Sequence, residues 1–426
     1  MWTVPILCLA AGCTGLGYGV AHLGERAPFR SLIGATSTVE GRVREDPSIS
    51  ASGSVSLQLD TLVVEDVDMS GAPLVSVRGA ADVKRGDIVV ARGVLEESLG
   101  SFVASMRVPS LDEVRRPVPG DVGRVVRDWF ADEVRSAIAD PQASLGIGFL
   151  TGQKSALPND VAEALKIAGL THIVVASGYN LTILVRLARR LFLRFSRYLS
   201  TVSSSFMIMA FMAVTGLSPS MVRAGLVSSL SVLSWYYGRA LHPFVLLPLA
   251  AAITVAFQPS YVWGDLGWQL SFAAFIGVMV VAPLFQRYFF GDSEPGVFRQ
   301  ILGETLAAHA VTVPIIALSF GTTSHVAIIA NLLVVPLVPL AMLLTFLSGI
   351  LAIVQAPFAF IIATPTEWLL AYMLNVAQYV AGLSWAQTEA SAEAWLWVGY
   401  GVALAAACFW MWRVTRYRFQ GEQRIY

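Results

Sequence analysis

The chain has 426 residues, of which 55% are hydrophobic and 14% charged, and its mean hydropathy is +0.64. A soluble protein of this size carries about 25% charge, so the composition excludes an ordinary soluble domain and points to an integral membrane protein. The net charge is zero but unevenly spread: residues 31–116 hold 9 Lys/Arg against 13 Asp/Glu, whereas residues 168–290 hold 8 Arg against a single acid, Asp265.

In chain order, residues 1–30 contain an apolar, Gly- and Ala-rich run at 3–23, read as a first transmembrane helix because it lacks the basic start of a signal peptide. Residues 35–110 change character. Short β-branched or alternating runs at 38–44, 54–64, 73–79, 87–95 and 101–108 are separated by Gly, Asp, Ser and Pro, which predicts a small barrel or sandwich. The stretch "KRGDIVVARGVLEE" fits an OB-type barrel. Single-strand binding on such a barrel needs aromatic platforms and a basic groove. Phe102 is the one aromatic here and the net charge is negative, which favours a structural or assembly module.

Residues 119–167 predict amphipathic helices at the membrane surface: "DVGRVVRDWFADEVRSAI" spaces Val122, Val125, Val126, Trp129, Phe130 and Val134 along one helix, with charges between them. From 168 to 413 the apolar runs are nearly continuous, with candidate spans at 168–193, 203–218, 220–238, 241–257, 266–288, 298–320, 325–355, 357–382 and 393–413. With the first run this predicts a polytopic α-helical membrane protein of about ten spans, several broken or re-entrant, behind a small N-terminal β-barrel. Arg186, Arg189, Arg190, Arg194 and Arg197 follow one span, and Arg413, Arg416, Arg418 and Arg424 follow the last, the final three in a basic tail at 414–426. The positive-inside rule places both clusters in the cytoplasm and the β module outside.

Polar residues interrupt the apolar runs at four places. "GLTHIVVASGYNL" (169–181) carries His172, Ser177, Gly178 and Asn180; in an unbroken helix the His, Ser and Asn form one broad polar arc, and Ser177-Gly178 could loosen it. "VTGLSPSMVRAG" (214–225) pairs an N-cap serine with a proline at the first helical position and places Arg223 in the second turn, a plausible phosphate site at a helix N-terminus. "WGDLGWQLSFAA" (263–274) puts Asp265 and Gln269 on one face, and Asp265 alone reads as an N-cap. "ANLLVVPLVPL" (330–340) sets Asn331 before Pro336 and Pro339, the pattern of an interrupted membrane helix. Glu304 and His309 fall in a fifth run but lie 140° apart and make no site unaided. The three cysteines and five scattered histidines have no metal-ligand spacing, so no metal or other cofactor is expected.

These four segments resemble, in order, the motifs of the ComEC family of competence proteins, the inner-membrane channel for single-stranded DNA in natural transformation. "GLTHIVVASGYNL" resembles the first motif, with Asn180 where the family has a second histidine. "GLSPSMVRA" resembles the second, through Gly216, Ser220, Arg223 and Ala224. "DLGWQLSF" resembles the third, through Asp265, Gln269 and Ser271, and "ANLLVVPL" the last, through Asn331 and Pro336. The β module at 35–109 is similar to the family's OB-like domain, and the resemblance covers roughly residues 1–400. It implies a channel for import of single-stranded DNA in the cytoplasmic (inner) membrane, lined or contacted by His172, Ser177, Gly178, Asn180, Arg223, Asp265, Gln269 and Asn331. It also implies a separate DNA receptor, nuclease and cytoplasmic translocation motor, since the chain ends at Tyr426 without the metallo-β-lactamase-like domain of full-length relatives and has no nucleotide-binding loop. No catalytic residue is expected. Two rival readings are a secondary transporter or channel for a small anionic solute and a membrane enzyme using His172, Ser177 and Asp265.

Overall fold

The computed structural model describes residues 29–417 apart from positions 30, 50–53, 66, 70–72, 79–81, 98–101, 103, 119, 154–156, 175–176, 239–241, 258–260, 294, 356–357 and 391–392. The expected first helix at 3–23 and most of the basic tail, 418–426, lie outside the described residues.

Five strands make a closed barrel: β1 (Thr36–Val43), β2 (Ser54–Val64), β3 (Leu74–Arg78), β4 (Ile88–Glu96) and β5 (Ser105–Val108). They are ordered β1-β2-β3-β5-β4, and β4 pairs back onto β1 to close the ring. All these pairs are antiparallel except β3 with β5, which run parallel. Alternation drives the closure. Val39 and Val43, Val55, Leu57 and Leu59, Val75 and Val77, Val89, Ala91 and Leu95, and Met106 and Val108 point inward at a period of two and fill the interior. Each large aliphatic so buried contributes about 1.5–3 kcal/mol. The five runs predicted as strands are these five strands.

Three helices follow the barrel: α1 (Val122–Ala137), α2 (Gln142–Thr151) and α3 (Asn159–Ile167). The valine–tryptophan stripe of α1 faces outward, with Val122, Val125, Val126 and Trp129 all about half exposed or more, while Arg124, Arg127, Ala131 and Val134 form the buried side. This inversion has a physical cause, because the two arginines are neutralised by the barrel. Arg124 Nη1 donates to Asp87 Oδ1 at 3.0 Å and to the Arg85 carbonyl at 2.6 Å, and Arg127 pairs through both terminal nitrogens with Asp46. Further along, Phe130 and Val134 pack on Gly349, and Gly146 of α2 packs on Thr345 and Leu370. α1 and α2 thus pack against the helical body, with the outer stripe of α1 left exposed.

The remaining helices are α4 (Thr171–Val174), α5 (Gly178–Leu193), α6 (Arg197–Thr215), α7 (Pro219–Tyr236), α8 (Pro243–Phe257), α9 (Tyr261–Gly264), α10 (Leu266–Ile276), α11 (Ala282–Phe290), α12 (Val297–Phe320), α13 (Ala327–Val334), α14 (Val338–Ile353), α15 (Ala359–Ala381) and α16 (Ala394–Thr415). Among the described residues six segments are long and apolar enough to cross a membrane: Arg197–Thr215, Leu266–Phe290, Arg299–Phe320, Ala327–Ile353, Ala359–Ala381 and Trp395–Thr415. The chain is therefore a multi-pass helical protein with an N-terminal five-stranded barrel, and the expected count of about ten spans is not confirmed among the described residues. Apart from the run at 3–23, which lies outside the described residues, the difference lies in three runs. The run at 168–193 is cut by the cap at Ser177 into pieces of 4 and 16 residues, the run at 241–257 yields a helix of 15 residues, and α7 carries five serines and Arg223. Pro336 and Pro339 do not break their span. They fall in a 3-10 turn, Val335–Leu337, and in the first turn of α14, so α13 and α14 run on as one segment.

The barrel is tied to the helices by a third arginine. Arg85 is 3% exposed; its Nε donates to Asp121 Oδ2 at 2.7 Å, while Nη1 and Nη2 donate to the carbonyls of Val214 and Ala213 at 3.1 and 3.2 Å. Those carbonyls belong to the last turn of α6, where a helix has no backbone donors of its own and where cations are favoured.

Candidate functional site

The site lies where the starts of α5, α7 and α10 meet beneath this seam. Gly216 ends α6 with φ +94°, a conformation that L side chains rarely adopt, and a β-carbon there would come 2.6 Å from Arg85 Nη1. The chain then turns into α7. Ser218 caps the helix by accepting from the Met221 amide, Pro219 follows at the first helical position, and the Ser218 and Ser220 hydroxyls are 3.3 Å apart. Arg223, one turn on, is 1% exposed, and its Nε and Nη1 are buried with no hydrogen-bond partner. A buried guanidinium with unmet donors at a helix N-terminus is a strong anion-attracting arrangement.

Asp265 caps α10, accepting from the Trp268 amide at 2.6 Å, as its place before an apolar run predicts. It also stands beside Arg223. A β-carbon on Gly267 would lie 3.0 Å from Asp265 Oδ1 and 3.6 Å from Arg223 Nη2, so the carboxylate and the guanidinium meet around that backbone position. Gln269 is half-buried one turn further along α10.

The first motif contributes architecture to the same place. Ser177 is the N-cap of α5, with its hydroxyl accepting from the Asn180 amide at 3.4 Å. The helix assumed across 168–193 therefore stops and restarts at this serine. Gly178 lets α5 approach α7 closely, since a β-carbon there would be 3.2 Å from that of Ala224, the neighbour of Arg223. Asn180 is fully buried and donates through Nδ2 to the carbonyls of Phe149 at 3.0 Å and Ile173 at 3.2 Å. It holds together the end of α2, the end of α4 and the start of α5.

His172 is exposed on α4, and its Nδ1 lies 3.0 Å from the Gly169 carbonyl, which can only accept, so that nitrogen carries the proton. Asn331 is 9% exposed in α13, with Oδ1 buried and unpartnered. Ser177, His172 and Asp265 are each engaged with the backbone of their own segment, at Asn180, Gly169 and Trp268 respectively.

Sequence reasoning missed four participants: Tyr261, Arg44, Glu45 and Arg85. Arg44 reaches the Tyr261 hydroxyl, and Arg223 lies within electrostatic reach of Asp265, Tyr261 and Glu45. Two of these residues come from the loop after β1, which brings the barrel close to the motif cluster. The one sequence signal was the acidic run "REDP" at 44–47 just beyond a predicted strand.

The sequence model of one family, described as Competence protein, matches residues 149–414, more than half of the chain, and this interval holds all four motifs. No curated protein and no solved structure matches the chain significantly.

Proposed function

Because the chain belongs to the Competence protein family, we propose that it forms the membrane conduit by which single-stranded DNA enters the cell during natural transformation. The observation that carries the reading is Arg223: a cation 1% exposed, with two unpartnered nitrogens, set at the N-terminus of α7 beside the Ser218 and Ser220 hydroxyls. Phosphate is the group that such a site favours. A strand moving past it exchanges one phosphate for the next at the same guanidinium, while neutral groups such as Gln269 and Asn331 supply contacts weak enough to let it slide.

The barrel's strand order, closed and with its third and fifth strands parallel, supports an OB-type fold, and its position over the α7 start suits a collar at the entrance. Orientation follows from charge. Arg189, Arg190, Arg194 and Arg197 flank the end of α6 remote from Arg85; Arg287 lies at the end of the Leu266–Phe290 segment remote from Asp265; and Arg413 sits beside Trp410, which packs on Tyr288 near that same remote end. All three basic groups thus lie away from the barrel, which supports a cytoplasmic C-terminus and an external barrel in the cytoplasmic membrane. Neither an energy source nor a DNA-cutting centre is assigned to this chain; a receptor, a nuclease and a cytoplasmic motor act beside it.

Transformation of the native host tests this. Deletion of the gene abolishes entry of labelled DNA into the cytoplasm while surface binding persists. Arg223→Ala lowers entry at least about tenfold, since charge-assisted contacts of this kind are worth more than 1.4 kcal/mol, and Phe102→Ala changes it far less. Entry that survives deletion, accompanied by loss of uptake of a small phosphorylated solute, would instead favour the transporter reading.

A further inference from the structure

The helix α5 has two contrasting sides. Leu181 and Val185 form one buried cluster with Ile208 and Phe211 of α6 and Met221 and Ala224 of α7. Arg189 belongs to this packed side: it is 7% exposed and stacks over Trp235 of α7, 4.4 Å from the ring centroid. On the other side Tyr179, Ile183, Arg186 and Arg190 follow one another at three or four residues, so they share a face, and Arg194 continues it at the C-cap. Tyr179 and the three arginines of this face are exposed.

Arg186 is the ninth of the 16 residues of α5, about 11 to 12 Å from either end. An arginine turned to lipid at such a depth is costly, and charges within a membrane face a bundle interior or a water-filled path. Ile183 gives the direction. It stands between Tyr179 and Arg186 on the same face and packs against the cluster built by α2, α13, α14 and α15. The arginine face is therefore turned into the bundle and meets water there. Its charge is not answered from within: residues 168–264 contain no Asp or Glu, and neither Arg186 nor Arg190 forms an ion pair among the described residues.

We infer that this face of α5 is a phosphate rail: beyond Arg223, Arg186 and then Arg190 take successive phosphates of the strand and lead it toward the far end of the bundle. The inference rests on the reading of the chain as a DNA conduit and adds residues outside the four motifs. The rail begins next to Arg223, since a β-carbon on Gly178 would be 3.2 Å from that of Ala224. Arg186 and Arg190 stand about 6 Å apart along the helix axis, on the order of the separation between neighbouring phosphates in an extended strand. Both are exposed, and ion pairs of hydrated guanidinium groups are weak, so a phosphate passes from one to the next without being trapped. Tyr179, at the head of the same face, offers a ring on which a base can stack.

The test uses the full chain in phosphatidylcholine nanodiscs and a fluorescein-labelled oligothymidylate, with affinity measured over a range of salt. For single strands the slope of log affinity against log salt is about −0.7 for each phosphate neutralised. Arg186→Gln and Arg190→Gln each make the slope shallower by about 0.7, and together by about 1.4. Arg186→Lys combined with Arg190→Lys keeps the charge and the parent slope. Thiol labelling locates the face independently. In a chain whose Cys8, Cys13 and Cys408 are replaced by serine, Arg186→Cys reacts with a charged, water-soluble thiol reagent at least about tenfold faster than Phe206→Cys, which lies on the exposed apolar face of α6. A slope unchanged in the double glutamine variant, with Arg223→Gln still defective, overturns the rail and leaves the conduit standing. Unchanged binding in Arg223→Gln as well overturns the conduit. Should the double glutamine variant not fold, labelling decides: Arg186→Cys reacting no faster than Phe206→Cys turns these arginines to the lipid, where anionic headgroups would be their partners, and overturns the proposal.

Discussion

Asn180 makes one amide nitrogen serve two carbonyls, those of Phe149 and Ile173, at the point where the chain restarts as α5. Both acceptors lie in the closing turns of short helices, which leave carbonyls without internal donors. A neutral imidazole has a single N–H, so histidine at this position could satisfy one carbonyl but not both. Asn180→Ala should therefore lower the stability of the purified protein by about 1–3 kcal/mol for the carbonyls left unpaired, and Asn180→His should recover part of it; thermal unfolding in detergent gives the order. A histidine variant less stable than the alanine one would count against this role. The sequence showed that a polar residue lay inside the apolar run, but spacing along one helix could not reveal that the helix stops at Ser177 or that the partners come from two other segments. Arg223 was legible for the opposite reason. Its cap, its proline and its place in the helix are all local.

At the scale of elements, Arg85 and Asp121 join three pieces. Asp121 caps α1, Arg85 closes the end of α6, and the two form an ion pair at 2.7 Å with the arginine 3% exposed. Burial pushes the Asp121 carboxyl up, but the Arg85 guanidinium and the Arg124 amide outweigh it and hold its pKa below the ordinary value. A depressed carboxylate contributes stability that is fully present above its unfolded pKa and is lost as pH falls through its folded one. The contribution of this pair is therefore lost on acidification below about pH 4. Asp121→Asn keeps a good cap and removes the charge, so its thermal unfolding temperature should lie below the parent's at neutral pH and converge with it at acid pH. A constant gap across that range would exclude the ion pair as the cause. The strands were legible from period-two alternation alone. The seam was not, because Arg85, Arg124 and Arg127 look like ordinary surface charges until their acids, 36 to 81 residues away, are brought beside them.

For the whole molecule, the proposed orientation rests on the six long apolar segments and on three basic groups at the ends remote from the barrel. Single cysteines placed at Lys84 and Arg194, in a chain whose Cys8, Cys13 and Cys408 are replaced by serine, should separate cleanly. The first reacts with an impermeant thiol reagent added to intact cells, and the second reacts only after the cells are opened; the reverse pattern inverts the proposed orientation. The multi-pass class was plain from composition, whereas the number of spans was not. Hydropathy registers how greasy a run is, while the caps at Ser177, Ser218 and Asp265 decide where its helices begin.

The Arg85 seam also dictates an order of manufacture. Its carbonyl partners, Ala213 and Val214, are synthesised 128 and 129 residues after it. The barrel can close on its own strands long before α6 has been made, but Arg85 finds its two carbonyl partners only once the last turn of α6 exists. The barrel can therefore settle on α1 through Arg124 and Arg127 as soon as α1 is made, while the Arg85 contacts to α6 close last.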